Sequence, residues 1–252
     1  MSRTRAAGQR VPRPIRHPYL DIPILPQPDD VSCGPTSLHA VYRYFGIQDD
    51  LGRLIGEVRE LPEGGTLAVY LGIHALKKGL SARLYSYHLK IFDPSWASLD
   101  GPALTEKLLL QLSHKRGKKF ELASRAYIRF LELGGQIGLD DLTPELLQVP
   151  FEAGLPVLTG LSATYLYGSR REYTGRSNKA VYDDIRGEPT GHFVVLCGRQ
   201  GDNVRVADPF LGNPLADHHH YDVEVNRLIR AILLGAMTYD ANLLVISPGQ
   251  LP

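Results

Sequence analysis

The chain has 252 residues, 43% of them hydrophobic, and its 28 basic and 27 acidic side chains leave a net charge of +1. That balance excludes the surplus positive charge on which nucleic-acid and anionic-membrane binders depend, and no apolar run approaches the ~20 residues needed to cross a bilayer. A chain of this length buries a sizeable core without disulfides or metals. Its two cysteines, Cys33 and Cys197, are too few for a disulfide scaffold, so both read as thiols in a reduced, cytoplasmic setting.

Arg3, Arg5, Arg10, Arg13 and Arg16 open the chain with no acidic residue among them. No apolar stretch follows them as a signal peptide requires, so residues 1–18 are expected to form a disordered basic tail rather than an anion-binding arm. Prolines make Tyr19–Pro26 extended. A helix is expected from Cys33, with Pro35 in its first turn, Leu38, Val41, Tyr42 and Phe45 at helical spacing, and Gly46 as the stop. Further helices are expected over Leu51–Glu60 and from Thr66, as N-cap, to Gly79, followed by a strand over 81–89. The pattern is helical from Ala103 to Ala153. It then turns to strands at 156–163, 192–198, 203–210 and 242–248, interrupted by one amphipathic helix, Val225–Gly235. Helices first and mostly antiparallel strands later give an α+β class. Residues 19–252 read as one domain, with 85–150 as a helical insertion and 164–190 as a long functional loop.

Cys33 sits where the free N–H groups and positive end of a helix stabilise an anion, so its thiol is expected to be acidified into a nucleophile. The alternative is a small buried hydrophobe. HFVVLCG and NVRVADPF are separated by a short turn containing Gly201 and form a natural hairpin. Centred near Gln200, it sets His192 directly opposite Asp208, with Cβ atoms about 4.5–5.5 Å apart. The carboxylate would orient the imidazole and stabilise its charged form. Gln27, on the extended segment before the helix, could join the Cys33 backbone N–H as a second oxyanion donor. Together these residues fill the roles of a thiol acyl-transfer site.

QPDDVSCGPTSL (27–38) and GHFVVLCG followed by VADPF resemble the two hallmarks of the bacteriocin-processing peptidase family. These are a Gln six positions ahead of a Cys-Gly-Pro helix start, and a Gly-His strand followed by Asp-Pro. The resemblance implies a papain-like fold and a stand-alone, transporter-free cysteine peptidase. In it Cys33 would be nucleophile, His192 base, Asp208 orienter and Gln27 oxyanion donor, with no cofactor.

Tyr165, Tyr167, Arg170, Arg171, Tyr173, Arg176 and Lys179 make the loop before His192 basic and aromatic. It reads as a rim gripping an acidic peptide or a terminal carboxylate, or as a solvated loop. His218, His219 and His220 form a conspicuous cluster, but alternation along an extended chain aims at most two of them at one point, so no metal site is expected. His39, His74 and His88 read as ordinary core or surface residues, and Cys197 as buried and inert. The function expected is hydrolysis of a peptide or isopeptide amide through a Cys33 thioester. An amine-accepting acyltransferase using the same site, or a catalytically retired peptide-binding module, are the alternatives.

Overall fold

A computed structural model of the chain describes residues 19–62, 64–174 and 180–252, and the expected tail at 1–18 lies outside them. Nine strands are described: β1 (Ser81–Ser86), β2 (Gln136–Gly138), β3 (Val157–Ser162), β4 (Glu172–Thr174), β5 (Ala180–Tyr182), β6 (Gly191–Gln200), β7 (Asn203–Ala207), β8 (His220–Glu224) and β9 (Asn242–Ser247). Seven of them form one sheet in the order β2-β1-β9-β3-β6-β7-β8. Every pairing in it is antiparallel except β1 with β2. The fold is α+β.

The central strands β3, β6 and β9 are apolar runs rather than alternating ones because both of their faces are covered. On one face pack α1 (Cys33–Tyr44), α3 (Ala68–Lys77) and α5 (Lys118–Glu132), through Leu38, Val41, Leu71, Tyr127 and Phe130. On the other pack α6 (Pro144–Glu152), α7 (Ala163–Tyr167) and α8 (Val225–Leu234), through Leu147, Leu166, Leu228 and Ile232. Each such side chain, fully buried, contributes about 1.5–3 kcal/mol of transfer free energy. Two cores gripping one sheet therefore hold the ends of β6 firmly. α2 (Leu51–Glu57) packs on α1, and α4 (Gly101–His114) on α5.

Several expectations are corrected. Helix α2 ends at Glu57, because Val58 turns to an extended conformation. Thr66 does not cap α3; its hydroxyl bonds the Arg59 carbonyl, and Leu67 takes the N-cap position. The helical stretch 103–153 is broken by β2, which pairs with β1 beyond the reach of local pattern. Segment 164–190 is not a structureless loop: α7 extends from β3, and β4 pairs with β5. The expected helix after Val225 is present as Val225–Leu234, with Gly235 at its C-cap.

Candidate active site

Cys33 is the first residue of α1, and it is buried with all of α1 through Tyr42. Ser32 offers no side-chain cap, and Thr36 is the first residue whose N–H bonds back within the turn, to the Ser32 carbonyl at 3.0 Å. Pro35 has no N–H to give. The Cys33 and Gly34 amides thus occupy the helix positions that lack intrahelical acceptors. Gly34 is required by close approach: a Cβ there would lie 2.6 Å from Thr66 Cγ2 and 3.2 Å from Phe193 Cδ2. The Ser37 hydroxyl donates to the Phe193 carbonyl at 3.1 Å and fixes α1 to β6 one residue past His192.

His192 enters β6 buried, and its Nε2 donates to Asp208 Oδ1 at 2.8 Å. The hairpin expected between β6 and β7 is present, with a different register. Val195 pairs with Ala207 and Gln200 with Asn203, and a bulge falls at Cys197. Asp208 follows the last paired residue of β7. Continuing that register would set it opposite Val194, not His192. An offset of two residues keeps side chains on one face, which is why the pair survives the shift.

The Asp208 carboxylate is fully buried and accepts four hydrogen bonds. Oδ1 takes the His192 ring and the Phe210 amide, each at 2.8 Å; Oδ2 takes the Tyr167 and Tyr221 hydroxyls, each at 2.6 Å. Burial works against its charge, but His192 and the two hydroxyls outweigh burial and hold the carboxyl below its usual range. For His192, burial again opposes charge. The charge and hydrogen bond of Asp208, joined by a hydrogen bond from the ring to Cys33 and the charge there, overcome it and raise the ring to about 10. With Nε2 committed to Asp208, Nδ1 is the nitrogen left for the Cys33 thiol.

Gln27 reaches the same place through the backbone. Its amide bonds the Pro209 carbonyl at 2.9 Å, while Leu20 bonds Cys197 and the His220 ring bonds the Ile22 carbonyl, so segment 20–27 is tied along β6, β7 and β8. One hydrogen of its side-chain amide goes to the Asp29 carbonyl at 2.7 Å, which leaves the other for a ligand. Gln27 and His192 line one cleft of about 120 Å³ with Asp30, Tyr167, Arg170, Glu172, Tyr182 and Phe210. That volume is well below the several hundred Å³ of a drug-sized site.

The expected rim residues are only partly gathered at the cleft. Tyr167 and Arg170 line the cleft, and Tyr167 serves mainly as a donor to Asp208. Tyr165 lies against Arg227, Arg171 bonds the Asp184 carbonyl, and Tyr173 sits beneath Arg186. Arg176 and Lys179 fall outside the described residues. Asp30 and Glu172 share the cleft with its single arginine, so the described lining is not basic.

His219 and His220 bond the backbone carbonyls of Asp208 and Ile22, and His220 begins β8 rather than lying in a loop. Among the described residues no group of three or more His, Cys, Asp or Glu side chains is placed to hold a metal ion. Cys197 is fully buried, and burial pushes its thiol up to about 12. His39 bonds the Asp49 carbonyl, and His74 bridges Tyr42 and Glu57. Three larger cavities, of about 310 to 630 Å³, include neither Cys33, His192, Asp208 nor Gln27. The smaller cleft is lined by two of the four, Gln27 and His192.

Tyr221 is the functional neighbour that sequence reasoning missed. Alternation in HYDVE (220–224), which buries Tyr221 and Val223, is the signal that reveals its strand.

The chain is similar to three solved peptidase structures. One is a C39-like peptidase from Bacillus anthracis, 16% identical, covering 90% of this chain and 94% of the other with a TM-score of 0.48. The second is a double glycine motif protease from an AMS/PCAT transporter in complex with its leader peptide, 15% identical, with coverage of 93% and 97% and a TM-score of 0.43. The third is the peptidase domain of Streptococcus ComA, a bi-functional ABC transporter, 14% identical, with coverage of 90% and 98% and a TM-score of 0.41. No protein-family profile and no curated protein sequence matches the chain. Among the described residues no helix is long and apolar enough to cross a membrane.

Proposed function

We propose that the protein is a papain-like cysteine peptidase that cleaves a peptide or isopeptide amide through a thioester on Cys33. The observation that carries this reading is the buried chain from the Cys33 thiol through the His192 ring to Asp208, assembled at the open end of a helix. His192 takes the thiol proton on Nδ1, becomes the imidazolium that Asp208 stabilises, and later delivers that proton to the leaving amine. The sulfur attacks the carbonyl carbon and a tetrahedral oxyanion forms. The Cys33 amide and the free hydrogen of the Gln27 side chain are its donors. Collapse expels the amine and leaves the acyl-enzyme, which water hydrolyses.

The test is stoichiometric labelling with iodoacetamide at pH 7, located by peptide mass mapping. Wild-type protein takes one label, on Cys33. Cys33→Ala takes none and loses hydrolysis of a peptide library. A label on Cys197, or equal labelling of Cys33 in a His192→Ala variant, would sink the assignment.

A further inference from the structure

Asp240 is a buried carboxyl that the reaction above does not use. It is delivered into the protein by a turn in which Tyr239 adopts a left-handed φ of 72°, uncommon for a bulky residue, and its amide bonds back to the Gly235 carbonyl at 2.8 Å. Three glycines from three segments make room for it. A Cβ on Gly191, the residue before His192, would lie 1.9 Å from Asp240 Oδ2. One on Gly160 of β3 would lie 2.5 Å from the Asp240 carbonyl oxygen, and one on Gly235 would lie 3.1 Å from its carbonyl carbon. Glycine in a strand marks such close approach. The carboxyl has one side-chain hydrogen-bond partner, the Thr238 hydroxyl at 2.6 Å.

We propose that Asp240 is a positioning residue of the catalytic site: wedged behind Gly191, it fixes the backbone that carries His192 and, when ionised, supplies a second negative charge behind the ring. This rests on the reading of Cys33 and His192 as a catalytic pair. Burial raises the Asp240 carboxyl to about 7, against the Thr238 hydrogen bond and the charges of Lys119 and His192. The groups facing it are Lys119 and Tyr127 of α5, His192 of β6 and Thr238 of its own turn; His88 touches that turn through the Tyr239 ring, 4.1 Å away. Lys119 also donates to the Thr238 carbonyl at 3.4 Å. Ionisation of Asp240 therefore falls in the neutral range, and above it the charged form of His192 gains an extra counter-charge.

The experiment follows the rate of Cys33 alkylation by iodoacetamide from pH 5 to pH 9. Wild-type protein is expected to show an inflection near pH 7, where Asp240 titrates. Asp240→Asn keeps the shape and the Thr238 contact but lacks the inflection. It reacts like wild type at pH 5 and departs from it by about tenfold at pH 8, the equivalent of a one-unit pKa shift. Lys119→Met, which removes a positive charge facing Asp240, moves the inflection to higher pH. A folded Asp240→Asn protein that retains the inflection overturns the proposal. If that variant does not fold, an unmoved inflection in Lys119→Met overturns it alone. A wild-type Cys33 that reacts no faster than a cysteine in a free peptide sinks the peptidase reading itself, whereas a fast Cys33 indifferent to both variants sinks only the role of Asp240.

Discussion

Two aspartates flank the His192 strand and are buried to nearly the same degree, yet they stand in opposite charge regimes. Asp208, just past β7, gathers the imidazole, a backbone amide and two tyrosine hydroxyls, and its acidity is strengthened. Asp240, just before β9, has one hydroxyl and a glycine cradle, and its acidity is weakened to about 7. Burial penalises both anions. The number of donors and charges aimed at each carboxylate decides which one stays ionised. Donors belong to the tertiary fold, so the same residue type acts as a permanent anion on one side of His192 and as a titrating wedge on the other.

The comparison breaks most severely if Asp208 loses its charge. Asp208→Asn should lower peptide turnover by about 10²–10⁴, because the ring loses both its orientation and its counter-charge. The ring signal of His192 in NMR spectra should report a charged imidazole at pH 8 in wild type and a neutral one in the variant. The ring is raised from an unfolded value of about 6.5 to about 10 in the folded protein. Its contribution to stability is thus complete below about pH 6.5 and is lost as pH rises through 10. Urea midpoints of wild type and Asp208→Asn should converge over that window; a constant gap would refute the coupling.

Gly191→Ala attacks the other side. Its new Cβ collides with Asp240 Oδ2, so a loss of about 1–3 kcal/mol in stability is expected, along with displacement of His192. Combining it with Asp240→Gly should restore part of that loss. Strict additivity in the double-mutant cycle would show that the two residues do not meet. The mildest change is Tyr221→Phe, which removes one of four donors from Asp208 and should cost about 1–2 kcal/mol by thermal or urea unfolding, with turnover lowered only several-fold. A loss as large as that of Asp208→Asn would mean the hydroxyl does more than hold the carboxylate.

Much of the site was legible because it depends on local chemistry. Gln27, an extended Pro-rich stretch and a Cys-Gly-Pro helix start are neighbours in the chain, and Gly34 and Pro35 each serve a geometric need that the residue type announces. The β6–β7 hairpin was legible as a hairpin. Its register was not, because the bulge at Cys197 shifts the pairing and no local pattern signals a bulge. Only part of the expected rim, Tyr167 and Arg170, lines the cleft, for a related reason. Counting charges along 164–190 ignores that Arg171 and Tyr173 are engaged within the loop itself and that Asp30 and Glu172 line the same cleft. Strand β2 is short, and its partner β1 defines it better than its own residues do.

The sequence by itself determined where Gln27, Cys33, His192 and Asp208 stand relative to helix starts and turns, and it determined the α+β order, because helix starts, turns and apolar runs are set by neighbouring residues. Only the tertiary structure decided which carboxyl near His192 is ionised. That depends on Tyr167, Tyr221, Thr238, Lys119 and three glycines, drawn from segments up to 119 residues apart, and on the excluded water that makes each of their hydrogen bonds count.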